Sequence, residues 1–386
     1  MSPKISIEML PVVAYLAYEH VIFVGPPGTG KSTLVRSFLA HLGGGLVLSL
    51  DPATPPSRIQ GFPDPAGLLE GRYALRVEGT LNDPAVEAAV LDEIFRASDP
   101  AWDALLPILE RGVPTVLATA NWVAGEERVE ALKDRLALWA WLNGSDAADE
   151  AAEIARGALR RLAAAQEGDL AAQISAVFPF PGWPPGEELR RARRKARPGP
   201  RATRAVAEAV QDLARFASAE RAFAPNRRRA AQWARVLWAS GLLLTGTADF
   251  RELPVAARTV LRWAWPAATA EEAAQWAALV DDWAVPGAGV LRKALMELEG
   301  LLAEAQKAQG GARNEKLAAA AQRLLALRSE LRHTAGEAVA AAFYRKATQA
   351  LLSLQDRGRY HLPSWEEVLA AAEKKKEEGH DDEHDE

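Results

Sequence analysis

The sequence predicts an α/β fold in which a parallel sheet comes first and a mostly helical region follows. Short apolar runs recur along the first 145 residues, with segments of helical spacing between them. Polar residues stand directly after several of these runs, where the carboxyl ends of parallel strands would meet. From about residue 147 the composition shifts to Ala, Arg, Leu and Glu with helical spacing. The predicted strands cover residues 21–24, 46–50, 87–93, 113–120 and 137–142.

The composition indicates a globular chain of two or three domains. Of its 386 residues, 49% are hydrophobic and 25% are charged, and this length exceeds what one small core supports. The formal charge of −5 argues against bulk binding of nucleic acid, although a local basic face stays open. Cysteine is absent, which excludes disulfides and thiolate metal sites and fits a reducing cytoplasm or a hot host. No apolar run reaches the roughly 20 residues that a membrane span needs.

The first apolar run leads into a glycine-rich loop that ends in a lysine and a hydroxyl. The loop matches the pattern G-x-x-x-x-G-K-[ST] and consists of Gly25, Pro26, Pro27, Gly28, Thr29, Gly30, Lys31 and Ser32. A strand before it and an amphipathic run after it are the context of a true phosphate loop. Its backbone N–H groups and the following helix dipole favour an anion, Lys31 would reach the β- and γ-phosphates, and Ser32 would hold Mg²⁺. A plain surface turn explains neither side chain, so the loop predicts binding of a nucleoside triphosphate.

The third predicted strand, residues 87–93, ends in two carboxylates. Asp92 would lie beside Mg²⁺ at the carboxyl end of the strand, and Glu93 would polarise an attacking water. A strand that ends in Asp-Glu is common by itself. The phosphate loop lies about 60 residues upstream, which is ordinary spacing for such nucleotidases, and this makes the pair specific. The stretch between, residues 51–84, is rich in Pro and Gly, with residues 73–77 as a short hairpin strand.

The strand over residues 113–120 follows a predicted helix over residues 101–110 and ends in Asn121. The amide could hydrogen-bond the γ-phosphate or the attacking water, or it could simply end the strand, which is a frequent role of Asn. The residues alone leave both interpretations open. A helix over residues 130–136 then leads into the last predicted strand.

The helical region carries a basic cluster, a set of tryptophans and two leucine stripes. The cluster over residues 190–204 is either a nucleic-acid face or a solvated helix end, and the second is favoured because no aromatic residues for base stacking lie near it. The tryptophans are expected to be core or interface anchors: Trp233, Trp263, Trp265, Trp276 and Trp283. The stripes predict helices separated by Gly310 and Gly311: Leu291, Leu295, Leu298 and Leu302, then Leu317, Leu324, Leu327 and Leu331.

Taken together, several motifs in order resemble the MoxR group of AAA+ ATPases. They are residues 25–32, residues 91–97, Asn121 and the pair Asp134-Arg135. Four further stretches resemble the RavA branch of that group: residues 53–56, 70–73, 130–135 and 226–240. The resemblance covers about residues 10 to 245.

The resemblance implies a role for each matching position. ATP would be bound by Gly25, Pro26, Pro27, Gly28, Thr29, Gly30, Lys31, Ser32, Thr33 and the sensor 2 arginine Arg228, with Arg229 one place off. Ser32 and Asp92 match metal positions, Glu93 the catalytic glutamate and Asn121 sensor 1. Arg135 matches the arginine finger that acts on the ATP of a neighbouring subunit. Members of this group form hexameric rings and usually act with a von Willebrand A partner to remodel or mature a client protein.

Four regions follow from this interpretation: a P-loop AAA+ core over 1–145, an α-helical lid over 146–285, a helical C-terminal region over 286–372 and a charged tail over 373–386. A cytoplasmic protein is expected. Between Glu110 and Val113 there is almost no room for the hairpin that family members carry before sensor 1. An Asp-x-Ser-x-Ser metal site is absent, so a von Willebrand A partner would be a separate chain.

Two other functions stay open. A nucleic-acid-dependent motor would draw on the basic cluster at residues 190–204. A P-loop phosphotransferase would use the same loop with a small acceptor, but it leaves Asn121 and Arg135 without roles.

Overall fold

The computed structural model describes residues 5–123, 126–142, 183–219, 223–284, 288–308, 310–335, 337–355, 362 and 367–368. The chain divides into two compact units. The first covers Lys4–Val280, and the second covers Asp281–Glu386 together with Met1–Pro3. The sequence also predicts a proline-rich loop over residues 178–186, of which residues 178–182 lie outside the described residues. The charged tail over 373–386 lies outside them as well.

A five-stranded parallel sheet forms the centre of the first unit, which confirms the predicted α/β fold. Its strand order is β2-β5-β6-β1-β7. The strands are β1 Val21–Val24, β2 Leu46–Ser49, β5 Ala88–Asp92, β6 Thr115–Ala120 and β7 Leu138–Trp141. Two short strands, β3 Phe62–Pro63 and β4 Leu75–Arg76, pair antiparallel beside it, so the predicted hairpin strand is present but is shorter than expected.

The strands end in register at one edge of the sheet. Val24 at the end of β1 lies opposite Ala120 of β6 and Trp141 of β7, and Leu91 of β5 lies opposite Ala118 of β6. We call this side the carboxyl edge and the opposite side the amino edge. Since all five strands are parallel, the residues that follow β1, β5 and β6 meet at the carboxyl edge.

The first unit contains the helices α1 Leu10–Ala17, α2 Lys31–His41, α3 Pro56–Gln60, α4 Pro65–Leu69, α5 Asp99–Leu109, α6 Glu126–Lys133, α7 Gly186–Lys195, α8 Pro200–Ala219, α9 Arg227–Thr245 and α10 Val255–Arg258. Helix α11, Ala270–Ala284, begins in the first unit and crosses the division after Val280. Capping residues mark both ends of α9. The Asn226 side chain accepts from the Arg229 N–H at its start, and Gly246 ends it in the left-handed conformation.

The core of the first unit lies between the sheet and its helices. Every residue of α1 and β1 is buried. Leu105 and Leu109 of α5 are buried in this core, and Leu106 packs against it. Only residues 110–114 connect α5 to β6, so the expected shortage of room for a hairpin there agrees with the structure.

A second apolar cluster joins the later helices of this unit. The indole rings of Trp233 and Trp276 stack with centroids 5.4 Å apart, and Trp265 lies 5.0 Å from Trp276. The Trp233 indole N–H donates to Ala264 O at 3.0 Å, and that of Trp276 donates to Leu261 O at 2.7 Å. Both Trp233 and Trp276 are fully buried, so the expectation that they are core anchors is confirmed.

The second unit contains three long helices: α12 Ala288–Lys307, α13 Gly310–Ala335 and α14 Glu337–Gln355. The leucines of both predicted stripes are buried in one cluster together with Phe343 of α14. The helix break falls just before Gly310, so the two glycines open α13 and do not separate the helices as predicted. Among the described residues, no helix combines the length and apolarity required to cross a membrane.

Candidate active site

The glycine-rich loop joins the end of β1 to the start of α2. Gly28 and Gly30 adopt φ values of +84° and +79°, which L side chains rarely accept. A Cβ atom on either residue would meet no other atom within 4 Å, so this side of the loop is open. At Gly25 a Cβ atom would lie 2.3 Å from Leu142 O, so only glycine fits between the loop and the end of β7. The loop therefore has an open face and a tightly packed base.

Lys31 folds back over this loop from the first residue of α2. Its ammonium donates to Gly25 O and to Pro26 O at 2.7 Å each, and to Thr29 Oγ1 at 3.3 Å. Burial lowers the pKa of Lys31, while the negative charges of Glu93 and Asp92 act in the opposite direction. The Lys31 ammonium thus contacts the loop and is within electrostatic reach of the two strand-end carboxylates.

Asp92 accepts hydrogen bonds from three side chains at the carboxyl edge. Ser32 Oγ donates to Oδ1 at 2.7 Å, Thr119 Oγ1 donates to Oδ1 at 2.6 Å, and Arg36 Nη2 donates to Oδ2 at 2.7 Å. Burial would raise the pKa of Asp92, but these donors and the charge of Arg36 lower it below its ordinary value. The structure therefore places an ionised carboxylate directly beside the Ser32 hydroxyl.

Glu93 and Asn121 meet beside this carboxylate. The Asn121 amide donates to Glu93 Oε1, and the Glu93 N–H donates to Thr119 Oγ1 at 3.3 Å. Glu93 has φ 58° and ψ 48°, a left-handed conformation that is costly for a residue with a Cβ atom. The residues that follow β5 and β6, both predicted to be functional, are thus in direct contact.

Three residues of this site were missed by the sequence analysis. Thr119 precedes the strand end by one residue, and the pairing of β5 with β6 brings it to Asp92. Arg36 follows Ser32 by four residues, so both lie on one face of α2. Arg128 of α6 donates to Phe95 O at 3.0 Å and to Ala97 O at 2.8 Å, which secures the turn after Glu93. The helical spacing between Ser32 and Arg36 could have predicted that Arg36 lies at the site. The sequence contains no pattern that would have predicted the role of Arg128.

Arg135 is not brought to the site of its own chain. It precedes β7, and its guanidinium donates to Glu110 Oε1 at 2.6 Å and to Ala131 O at 2.5 Å. Glu110 follows α5 and precedes β6, so this ion pair lies at the amino edge. The phosphate loop lies at the opposite edge.

Arg228 and Arg229, in the first turn of α9, also lie at the amino edge. Arg229 is buried and donates to Leu136 O at 3.2 Å, to Ala137 O at 3.5 Å and to Lys133 O. Burial lowers the pKa of Arg229 to about 10. Arg228 is exposed and lies near Glu19 and His20, which precede β1. Burial raises the pKa of Glu19 and lowers the pKa of His20, and the positive charge of Arg228 acts on both pKa values in the downward direction.

Neither arginine is therefore placed at the phosphate loop, in contrast to the expectation for a sensor 2 residue. Gly25 follows His20 by five residues, which in an extended chain corresponds to a distance of about 16 Å.

The basic cluster on α7 and beyond is partly internal. Arg193 is buried between the rings of Tyr15 and Tyr18, with its guanidinium carbon 4.2 and 4.1 Å from their centroids. It donates to Tyr15 O at 2.5 Å and to Thr115 Oγ1 at 2.7 Å. Arg194 pairs with Glu87 at 2.5 Å. The favoured interpretation as a solvated helix end is thus wrong for Arg193, which attaches α7 to α1 and β6.

The described part of the chain contains no group of three or more His, Asp or Glu side chains arranged for a metal ion. The oxygen atoms suited to Mg²⁺ are those of Ser32 and Asp92. A hydroxyl and a carboxylate are hard ligands of the kind that Mg²⁺ prefers, so these residues fit the predicted metal.

Comparison with known proteins finds a family match over the part of the chain that contains the candidate site. Residues 4–148 match the model of the MoxR domain in the MoxR-vWA-beta-propeller ternary systems. Two uncharacterized proteins of Methanocaldococcus jannaschii are each 30% identical over 109 residues, which is 26% of this chain and 27% of theirs. The Holliday junction branch migration complex subunit RuvB of Clostridium kluyveri is 34% identical over 94 residues, 24% of this chain and 22% of RuvB.

The chain thus spans about a quarter of the length of the curated relatives it matches. A crystal structure of a candidate ATPase from Cytophaga hutchinsonii aligns with a TM-score of 0.44 and 17% identity. That alignment covers 67% of this chain and 80% of the other. The family match coincides with the residues that form the parallel sheet, the phosphate loop and the strand-end carboxylates.

Proposed function

Residues 4–148 are a MoxR-type AAA+ ATPase domain, and we propose that this domain hydrolyses ATP with Mg²⁺ in a ring of identical subunits to remodel a protein client. The observation that carries the proposal is the grouping at the carboxyl edge. There Lys31, Ser32, Asp92, Glu93 and Asn121 come together from α2 and the ends of β5 and β6.

The residues that would hold ATP are those of the open loop face and the start of α2, residues 25–33. Backbone N–H groups at the start of α2 favour the phosphates, and Lys31 adds a positive charge. Ser32 and Asp92 would hold Mg²⁺, which when bound neutralises charge that develops on the transferred phosphoryl group. The low pKa of Asp92 keeps its carboxylate ionised at neutral pH.

Glu93 is proposed to orient the attacking water. Its carboxylate is held by the Asn121 amide, and its backbone is held by Thr119. A carboxylate in a fixed position can accept a proton from water as the oxygen attacks phosphorus. Asn121 therefore acts as a positioning residue for Glu93 in this arrangement.

Among the described residues of one chain, the arginine that contacts the carboxylates of the site is Arg36, which is paired with Asp92. Two arginines received roles by resemblance, Arg135 as the arginine finger and Arg228 as the sensor 2 residue that binds ATP, and both lie at the amino edge. In a ring, the amino edge of one subunit can face the carboxyl edge of the next. This arrangement supports the proposal that these arginines complete the site of a neighbour, and a hexamer is the expected ring.

An apolar surface beside the sheet supports the proposal of a protein client. The segment from α3 to β4 exposes four large apolar side chains: Phe62, Leu68, Leu69 and Tyr73. Leu69 is 91% exposed and Tyr73 is 77% exposed, and clustered exposed apolar residues mark interaction sites in soluble proteins. We propose that this segment engages apolar stretches of the client. The description of the matching family, which names MoxR-vWA systems, supports a von Willebrand A partner.

The second candidate function is a nucleic-acid-dependent motor. Two observations favour it: the similarity to RuvB over 94 residues and the exposed part of the basic cluster, which includes Arg191, Arg201 and Arg204. Of the residues 190–204, however, Arg193 is buried and Arg194 is paired. The RavA branch stays our proposal within the MoxR group, based on the four stretches that resemble it.

The test compares wild type with Lys31→Ala and with the matched control Lys307→Ala, which changes an exposed lysine of the second unit. Binding of fluorescent ATP and release of phosphate are measured with and without Mg²⁺. Of the two variants, only Lys31→Ala should lose the binding of fluorescent ATP.

The second test separates a protein client from nucleic acid. Addition of an unfolded protein should stimulate ATP turnover, whereas addition of DNA or RNA at physiological salt should not. Stimulation by nucleic acid alone would favour the motor, and ATP binding by Lys31→Ala equal to that of wild type would contradict the site.

A further inference from the structure

Arg36 forms an ion pair with the carboxylate that is proposed to hold Mg²⁺. Its Nη2 lies 2.7 Å from Asp92 Oδ2. The other oxygen, Oδ1, accepts from the neutral hydroxyls of Ser32 and Thr119. Among the described residues that contact Asp92, Arg36 is therefore the one that carries a positive charge. Arg36 lies one helical turn beyond Ser32, so the helix that presents the proposed metal ligand also presents a positive charge to the same carboxylate.

This pair differs from an ordinary surface ion pair. The Asp92 side chain is only 11% exposed, whereas that of Arg36 is 47% exposed. An arginine stays charged at any physiological pH, so it cannot release the carboxylate by losing a proton. It can release it by movement, because the half-exposed guanidinium has water on one side and a long flexible stem. Asp92 in contrast is fixed by its two hydroxyl donors.

We propose that Arg36 is the counter-ion of Asp92 in the metal-free state and competes with Mg²⁺ for that carboxylate. The inference rests on the proposed function, since it takes Asp92 to be a Mg²⁺ position. Two cations near one carboxylate repel each other, so arrival of Mg²⁺ requires the guanidinium to move towards solvent. By linkage the return of Arg36 weakens the hold on Mg²⁺. Arg36 therefore lowers the affinity for Mg²⁺ and speeds release of Mg²⁺ with ADP after hydrolysis.

The test measures metal affinity by binding and does not depend on turnover. Wild type, Arg36→Gln and the exposed control Arg215→Gln are stripped of metal, and binding of a fluorescent ADP analogue is followed against free Mg²⁺. We expect Arg36→Gln to reach half-saturation at about two- to fivefold lower Mg²⁺, the effect of one partly exposed charge pair. Dissociation of ADP should slow by a similar factor, and Arg215→Gln should match wild type. Binding of Mn²⁺, followed by the loss of the free-ion EPR signal, gives the same comparison directly.

Arg36→Met serves as a second neutral variant in case Arg36→Gln does not fold, which a melting curve reports. An unchanged or higher Mg²⁺ requirement in a folded neutral variant would overturn the inference and would mean that Arg36 only orients Asp92. If wild type binds ADP with no dependence on Mg²⁺, the proposed metal position fails, and the inference fails with it. If ADP binding by wild type depends on Mg²⁺ and the neutral variants reach half-saturation at the same Mg²⁺ concentration, the inference about Arg36 fails while the proposed metal position stands.

Discussion

The guanidinium of Arg135 donates to Glu110 Oε1 at 2.6 Å, and both residues lie at the amino edge of the sheet. Arg135 therefore cannot act on the phosphate loop of its own chain. A role in catalysis requires a neighbouring subunit, and it also requires the pair with Glu110 to open. The Arg135 side chain is 20% exposed and that of Glu110 is 48% exposed. A partly exposed ion pair of this kind contributes about 1 kcal/mol, so opening it on assembly costs little.

Mixed rings test this arrangement. Arg135→Ala subunits keep their own loop, and Lys31→Ala subunits keep Arg135, so each variant alone should be inactive while mixtures should recover part of the activity. An arginine finger contributes roughly 10³–10⁵ in turnover, which makes the difference easy to measure as phosphate release. Full activity of Arg135→Ala alone would show that Arg135 is no finger. The absence of recovery in verified mixed rings would argue against action on a neighbour.

Glu93→Gln should separate hydrolysis from binding. The change removes the group that accepts the proton from water and leaves Lys31, Ser32 and Asp92 in place, so turnover should fall by about 10²–10⁴. Affinity for fluorescent ATP should stay within a few-fold of wild type. Glu208→Gln, an exposed glutamate of α8, is the control and should match wild type in both measurements. Turnover close to wild type in Glu93→Gln would exclude the assignment.

The neighbouring arginines of α9 should differ in their effect on stability. Arg229→Gln leaves the carbonyls of Lys133, Leu136 and Ala137 without their buried charged donor. We expect the free energy of unfolding to fall by about 2–4 kcal/mol. Arg228→Gln changes an exposed side chain and should alter it by less than about 0.5 kcal/mol. Urea denaturation measures both, and equal losses would mean that Arg228 has a structural contact as well.

His20 should make the stability of the first unit depend on pH. Its Nδ1 accepts from the Val116 N–H at 3.0 Å, so Nε2 carries the proton and donates to Leu109 O at 2.9 Å. Burial lowers the pKa of His20 from 6.5 to about 4. Between these values the unfolded chain binds a proton that the folded chain does not, so stability is lost as pH falls.

The loss should approach about 3 kcal/mol near pH 4. Urea midpoints of wild type and His20→Gln between pH 7 and pH 4 report it, and the slope should be shallower in the variant. An equal slope in both proteins would assign the pH dependence to other groups.

Removal of the second unit should leave the nucleotide site intact. The chain divides after Val280, and the apolar cluster of the second unit begins at Leu291. A truncated chain that ends at Val280 should therefore unfold cooperatively and bind fluorescent ATP like the full chain. Aggregation of that fragment, or loss of binding, would show that the C-terminal helices belong to the ATPase core. The sequence placed this boundary near residue 285, a few residues later.

Patterns among neighbouring residues of the sequence determined the strands and helices of the fold and much of the candidate site. The apolar run before Gly25, the spacing of Lys31 and Ser32, and the carboxylates after Leu91 each depend on neighbours along the chain. Strand and helix periods are local properties, and parallel strands bring their ends together wherever they pair. For this reason Asp92, Glu93 and Asn121 were predicted at one edge, and the structure has them there.

Only the tertiary structure decided which charged side chains are buried and which edge each arginine occupies. Arg193 and Arg229 belong to runs of arginines whose members are equivalent in sequence, yet packing against Tyr15 or Leu136 buries one member of each run. Those partners lie 178 and 93 residues away along the chain. Burial of a charge depends on such distant partners, because only their carbonyls and rings can replace the water that a guanidinium loses.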